Sequence, residues 1–162
     1  MAAPKKLKIL CLHGYRQDAE SFKDKIGGFR KSIKSIAELV FVNAPNEIPT
    51  ESCVITTDEG TTELRGEFPY DFYFVVIIAG FRSIAKCHQY LYSKTINIQS
   101  LHIMGENDTC ISKDRSEELI PLFKSSSVVY HDGGHFIPSK SSVKAEYLPF
   151  FKNMQNLNKG NS

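Results

Sequence analysis

The stretch "PYDFYFVVIIAGFRSIAK", residues 69–86, decides how this chain folds. Its centre, Phe72 to Phe81, is the most apolar run in the sequence. It has the length of a strand, is closed by Gly80, and leads into residues that can turn or enter a short helix. Hydrophobicity that is continuous rather than alternating marks a strand covered on both faces, as in parallel sheets.

The same pattern recurs on either side. "LKILCLHG" (7–14), "AELVFVNAP" (37–45), "SLHIMGEND" (100–108) and "SSVVYHDGGH" (126–135) are further strand candidates that end in glycine or proline. Between the first two lies "SFKDKIGGFRKSIKSI". There Phe22, Ile26, Phe29, Ile33 and Ile36 recur every three or four residues, which is one helical face. Ser21 is the expected N-cap, and the Gly27-Gly28 pair weakens the helix by about 1 kcal/mol per glycine. A helix between two such strands makes a right-handed βαβ unit. Residues 46–71 have no period and read as a long loop. "SIAKCHQYLYSKTINI" reads as a short helix or an irregular connection, and Ser112 is placed to cap "KDRSEELIPLF". "SSVKAEYLPFFKNM" is a terminal helix that turns Val143, Tyr147, Phe150 and Phe151 inward, with Pro149 expected to kink or end it. The alternation predicts an α/β three-layer sandwich with a mostly parallel sheet, one domain over residues 1–154, and a frayed tail over 155–162.

Composition narrows the function classes. In 162 residues, 41% are hydrophobic and 23% charged, an ordinary globular balance. The net charge of +2 and the scattered lysines lack the basic, aromatic-interleaved footprint of a nucleic-acid binder. Cys11, Cys53, Cys87 and Cys110 form no Cys-x-x-Cys pair, so they read as free thiols of a reducing compartment. The first apolar run stops at His13, too short for a signal peptide core or a membrane span. The expectation is a cytoplasmic protein with no membrane span, cofactor or metal. Its oligomeric state is not legible.

In open α/β sheets, chemistry gathers beyond the C-terminal ends of the strands. Three ends here pair glycine with titratable groups: "LHGYRQ", "GENDTCI" and "HDGGHFIP". Two glycines let the chain turn tightly and present His135, whereas Gly105 is expected to turn the chain ahead of Asp108. A carboxylate at 108 can hold the imidazole Nδ1–H and stabilise an imidazolium, and acid-then-histidine is the order of α/β-hydrolases. Gly14 leaves the Tyr15 N–H sterically open as an oxyanion donor. His13 is expected to order its loop and His131 to sit within a strand. Asn107, Asp114 and Asp132 read as turn or cap residues. Cys11 and Cys110 lack a nucleophile-elbow frame, and His131, Asp132 and His135 match no common metal spacing.

Together, "ILCLHGYRQDAESFKDKIGGFRKSIK", "AELVFVNAP", "IIAGFRS", "SLHIMGENDTCIS" and "HDGGHFIP" resemble the family of serine hydrolases known as FSH proteins. The resemblance implies an α/β-hydrolase fold and carboxylic ester hydrolysis on a small-molecule ester or acyl substrate. It also implies Asp108 as triad acid, His135 as triad base, and Gly14-Tyr15 in the oxyanion hole.

One part of the family pattern is missing. Members carry Gly-Phe-Ser-Gln-Gly on a strand between segments similar to "PYD" and "FVVIIAGFRS", whereas here Asp71 runs directly into the later strand. Of the ten glycines, only Gly160 has a serine two positions on, and no Gly-x-Ser-x-Gly exists. Ser83 is off the frame, with Arg82 where a nucleophile would stand. The region after Pro45 is also shorter than in the family. The resemblance therefore implies a shortened form, as exon skipping would produce, without the nucleophile strand and its helix. Two buried strand edges should then stay unpaired unless the sheet closes up. An acid and base without a nucleophile retain little catalysis. The expected function is a serine-type esterase by descent with little or no activity, or alternatively a non-catalytic binding or regulatory isoform.

Overall fold

The computed structural model describes residues 5–44 and 72–160. The long loop expected over residues 46–71 and the strand stop at Pro45 lie outside the described residues. Within them run β1 (Leu7–Leu12), α1 (Ala19–Lys25), α2 (Gly27–Ile33), β2 (Ala37–Val42), β3 (Phe74–Ile78), β4 (Ile96–Gly105), α3 (Lys113–Glu117), β5 (Phe123–His131) and α4 (Ser141–Gly160). Short 3-10 turns occupy Lys86–Tyr92 and Ile120–Leu122. The uncertain connection after Ser83 thus resolves into a 3-10 turn, and its last residues open β4.

The strands pair in parallel: β1 with β2, β3 with β4, and β4 with β5. They do not form one sheet. β1–β2 is one sheet and β3–β4–β5 another, so β1 and β3 each end as an edge. Among the described residues, no strand lies between them. Of the two outcomes expected from a lost central strand, closure and open edges, the described residues show open edges.

The direction of the bare amides follows from two hydrogen bonds. Leu7 N–H donates to the Ile36 carbonyl and Ala79 N–H to the Ile103 carbonyl, both at 2.9 Å. Successive residues of a strand point their amides to opposite sides, so those of Leu10, Leu12, Val76 and Ile78 turn away from their ladders toward the gap.

One face of both sheets is covered by α2 and α4. Phe29, Ile33, Tyr147, Phe151 and Met154 pack there with Leu7, Leu101, Ile103 and Val129 into one core. The other face is covered unevenly. α3 packs on β4 and the 120–122 turn on β5. On β1–β2, however, Leu10, Leu12, Val40 and Val42 are exposed, Leu12 at 69%. This corrects the expectation that the first strand is covered on both faces. A continuous apolar run reports what a strand is built to meet, and no layer among the described residues covers the outer face of β1–β2.

The helices differ from their expected form in three places. The five-residue apolar stripe is inward-facing as expected, but the helix breaks at Ile26, which ends α1 and starts α2. A side chain at Gly28 would come within 2.7 Å of Ser139 Cβ, so this glycine admits the strap that follows His135. The N-cap of α1 is Asp18 rather than Ser21. The two share a capping box, in which the Ser21 N–H donates to Asp18 Oδ1 at 2.7 Å and the Asp18 N–H to Ser21 Oγ at 3.1 Å. Ser112 occupies the N-cap of α3 without a side-chain capping bond. At the C-terminus, α4 continues past Pro149 to Gly160 instead of fraying from 155. Gln155 is buried, and its amide donates to the Lys5 carbonyl at 3.2 Å, tying this turn to the start of β1.

Candidate active site

The loops after β4 and β5 are laced together. Glu106 N–H donates to the His131 carbonyl at 2.8 Å, Asn107 N–H to the Gly133 carbonyl at 3.1 Å, and Asn107 Nδ2 to the Asp132 carbonyl at 2.8 Å. Gly105 opens the expected turn, the Asp108 N–H donating to its carbonyl at 3.4 Å, and it also serves this approach. A Cβ there would overlap the Gly133 carbonyl and sit 2.6 Å from that of Gly134.

That lacing brings two sequence candidates together. His135 Nδ1 lies 2.9 Å from Asp108 Oδ2, with the carboxylate side chain 1% exposed and the imidazole 48% exposed. Asp108 Oδ1 accepts from the N–H groups of Cys110 and Ile111 at 2.8 and 2.9 Å. Burial pushes the Asp108 carboxyl up. The bonds from Ile111, His135 and Cys110 outweigh it and hold the group below its ordinary value. An ionised Asp108 accepts the Nδ1–H of His135 and leaves Nε2 with its lone pair outward. That is the arrangement of a general base with its orienting acid.

His135 opens onto a cavity of about 650 Å³ that fills the gap between the two sheets. β1 contributes Ile9 to Leu12, β3 contributes Val76 and Ile78, and Phe22, Phe29 and Phe151 close the floor. Gly14 shares this wall with His135, whereas Tyr15 is 58% exposed and does not line it. His13 spans from the Gly14 carbonyl at 3.0 Å to the Ala44 N–H at 3.1 Å and so ties the two strand ends of the smaller sheet. Gln17 also lines the cavity, and its buried Oε1 has no partner among the described residues. A larger cavity of about 870 Å³ runs along α1, α2 and β2, and holds none of the candidate residues.

Ser83 faces elsewhere. Its Oγ is 2.8 Å from His88 Nδ1 and accepts from the Ala85 N–H at 3.3 Å, all within its own loop. It does not line the His135 cavity. The cluster of His131, Asp132 and His135 does not assemble either: Asp132 pairs with Lys140 at 2.6 Å, and His131 Nδ1 accepts from the Gly133 N–H. The sequence reading set Cys110 aside for want of an elbow. In the fold, ligand-capable atoms of Asp108, Cys110 and His135 all lie within 4.8 Å of one another. The signal was its place two residues after Asp108, in the turn that the carboxylate organises.

Comparison with known proteins agrees with this geometry. The serine hydrolase (FSH1) family model matches residues 1–70 and 53–147. Esterase OVCA2 of Danio rerio is 29% identical, with 92% of this chain and 98% of that protein aligned. An esterase of Anopheles gambiae is 32% identical over 93% of this chain and 79% of its own length. Esterase OVCA2 of Mus musculus is 24% identical over 93% and 97%. The Danio rerio alignment is 222 residues long against a chain of 162, so it crosses internal positions that this chain lacks. The two family matches overlap at 53–70, just ahead of β3.

Proposed function

This chain belongs to the FSH1 serine hydrolase family, and from that premise we propose that it is a shortened serine-type carboxylic esterase with little or no hydrolytic activity of its own. The carrying observation is the Asp108–His135 pair at 2.9 Å on the rim of a gap where no described strand delivers a nucleophile. The relatives' names supply the ester class, and the apolar walls of the cavity suit a small acyl or ester ligand. The base can still take a proton, but none of the described residues that line the cavity is a serine for it to activate. Half of a hydrolase oxyanion hole comes from the N–H after the nucleophile, so Gly14-Tyr15 would stand alone.

Reaction with a fluorophosphonate probe, alongside a short-chain chromogenic ester, tests this. The expected result is no labelling of an internal serine and turnover indistinguishable from His135→Ala. Labelling of an internal serine that His135→Ala abolishes would overturn it.

A second reading, a non-catalytic binding or regulatory form, draws on one observation of its own: the cavity keeps apolar walls and an unpartnered Gln17 acceptor. Ester or acyl ligands that raise the melting temperature without being turned over would support it. A cytoplasmic location accords with the free thiols of Cys11 and Cys110. Imaging of the tagged chain tests that assignment.

A further inference from the structure

We propose that Asp108, Cys110 and His135 form a binding site for a thiophilic divalent cation of the zinc type. The proposal goes beyond the esterase reading, because it concerns what the acid–base pair does together with a neighbouring thiol. A carboxylate, a thiol and an imidazole are the three donor types that such ions take from proteins, and zinc accepts them in any combination. Other clusters of this kind are not found among the described residues.

The geometry fits with little movement. Metal–ligand distances of about 2.0–2.3 Å at a tetrahedral ion place neighbouring ligand atoms roughly 3.3–3.8 Å apart. The Asp108–His135 separation of 2.9 Å and the 4.8 Å limit for the whole group bracket that range. The adjustment falls on Cys110, an exposed side chain that can rotate at little cost, and on half-exposed His135, which draws back from 2.9 Å to the ligand spacing. Asp108 needs none, since the Cys110 and Ile111 N–H groups already hold one of its oxygens, as an outer shell does for a ligating carboxylate.

Charge also matches. An ionised Asp108 and a Cys110 thiolate neutralise a doubly charged cation, and the half-exposed His135 leaves an entry path and a fourth position to solvent. The cation takes the place of the proton shared by His135 and Asp108 and displaces the proton of the thiol. Metal binding and base function therefore exclude each other at this site.

The test uses the full chain, stripped with a chelator and titrated with Co²⁺ and then Zn²⁺. One equivalent of Co²⁺ should give a thiolate-to-metal charge-transfer band, which Zn²⁺ then bleaches. A variant with Cys11, Cys53 and Cys87 changed to serine should keep the band. Cys110→Ser, with the other three thiols intact and circular dichroism unchanged, should lose it and bind Zn²⁺ at least about 10–100-fold more weakly. His135→Gln should weaken binding by a similar factor. One equivalent of Zn²⁺ should also slow iodoacetamide alkylation of Cys110, followed by peptide mass spectrometry, at least about 10-fold. The proposal is overturned if the Cys110-only chain gives no band, if Cys110→Ser binds as the parent does, or if Zn²⁺ leaves the alkylation rate unchanged. The fluorophosphonate result is independent of all three.

Discussion

Two leucine-to-alanine substitutions on different strands, Leu12→Ala in β1 and Leu101→Ala in β4, should differ severalfold in cost. Leu101 is 0% exposed and packs in the core beneath α2 and α4, whereas Leu12 keeps 69% of its surface in water. Fully burying a leucine contributes about 1.5–3 kcal/mol, so the covered third of Leu12 is worth roughly 0.5–1 kcal/mol. Truncating it leaves no enclosed void, because the far side is already open. At Leu101 the transfer and cavity terms add, and buried Leu→Ala changes cost about 2–5 kcal/mol. Urea unfolding followed by circular dichroism reads both variants against the parent, with the denaturant slope checked for constancy so that midpoints convert to stability. The expected result is a Leu12→Ala loss under about 1 kcal/mol beside a Leu101→Ala loss of at least about 2 kcal/mol. A Leu12→Ala loss equal to that of Leu101→Ala would refute the reasoning. It would mean that the outer face of β1 is covered in solution and that the second layer is present.

Further predictions follow from the open edges and the buried polar groups. In hydrogen exchange read by NMR, the amides of Leu10, Leu12, Val76 and Ile78, which face the gap, should exchange well before those of Ile9, Cys11 and Ile77, which face their ladders. Equal protection along β1 would show that its free edge is paired. Asp108→Ala strips the acceptor from the Cys110 and Ile111 N–H groups and should cost about 1–3 kcal/mol for each orphaned donor. Asp108→Asn keeps an oxygen in the turn and should cost clearly less, so equal urea midpoints for the two variants would remove the turn from the account. Burial holds His102 below its ordinary value of 6.5, so on acidification the unfolded chain takes up its proton first. Stability should be complete above that value and fall as the pH drops below it, by at most about 1.4 kcal/mol per pH unit for this group. His131, pushed down by burial against the pull of Asp132, adds in the same direction. His102→Gln should flatten the profile between pH 7 and 5 by one histidine's share, and a parallel profile would show that His102 carries none of it.

Much of the architecture was legible in the chain because its signals are local. Continuous apolar runs ending in glycine located β1, β3, β4 and β5, and a stripe at helical spacing located the face that α1 and α2 bury, even though the helix breaks between them. Asp108 and His135 stood out because each follows a strand end rich in glycine. The absence of a Gly-x-Ser-x-Gly frame was a matter of counting. What local pattern misread were roles set by a distant partner. Ser21 reads as a cap until Asp18 takes that position, and Gly105 reads only as a turn, although the Gly133 and Gly134 carbonyls also close against it.

By itself, then, the sequence pointed to the strand and helix types, to Asp108 and His135 as candidates and to the missing Gly-x-Ser-x-Gly frame, since each depends on residue identity along the chain. The tertiary structure alone decided that, among the described residues, no strand joins β1 to β3 and no layer covers the outer face of β1–β2, and that Cys110 comes to stand beside Asp108 and His135. The physical reason is the same in each case. A strand edge, a sheet face or a side chain is completed by groups far away in sequence, and whether those groups arrive is settled only when the layers pack.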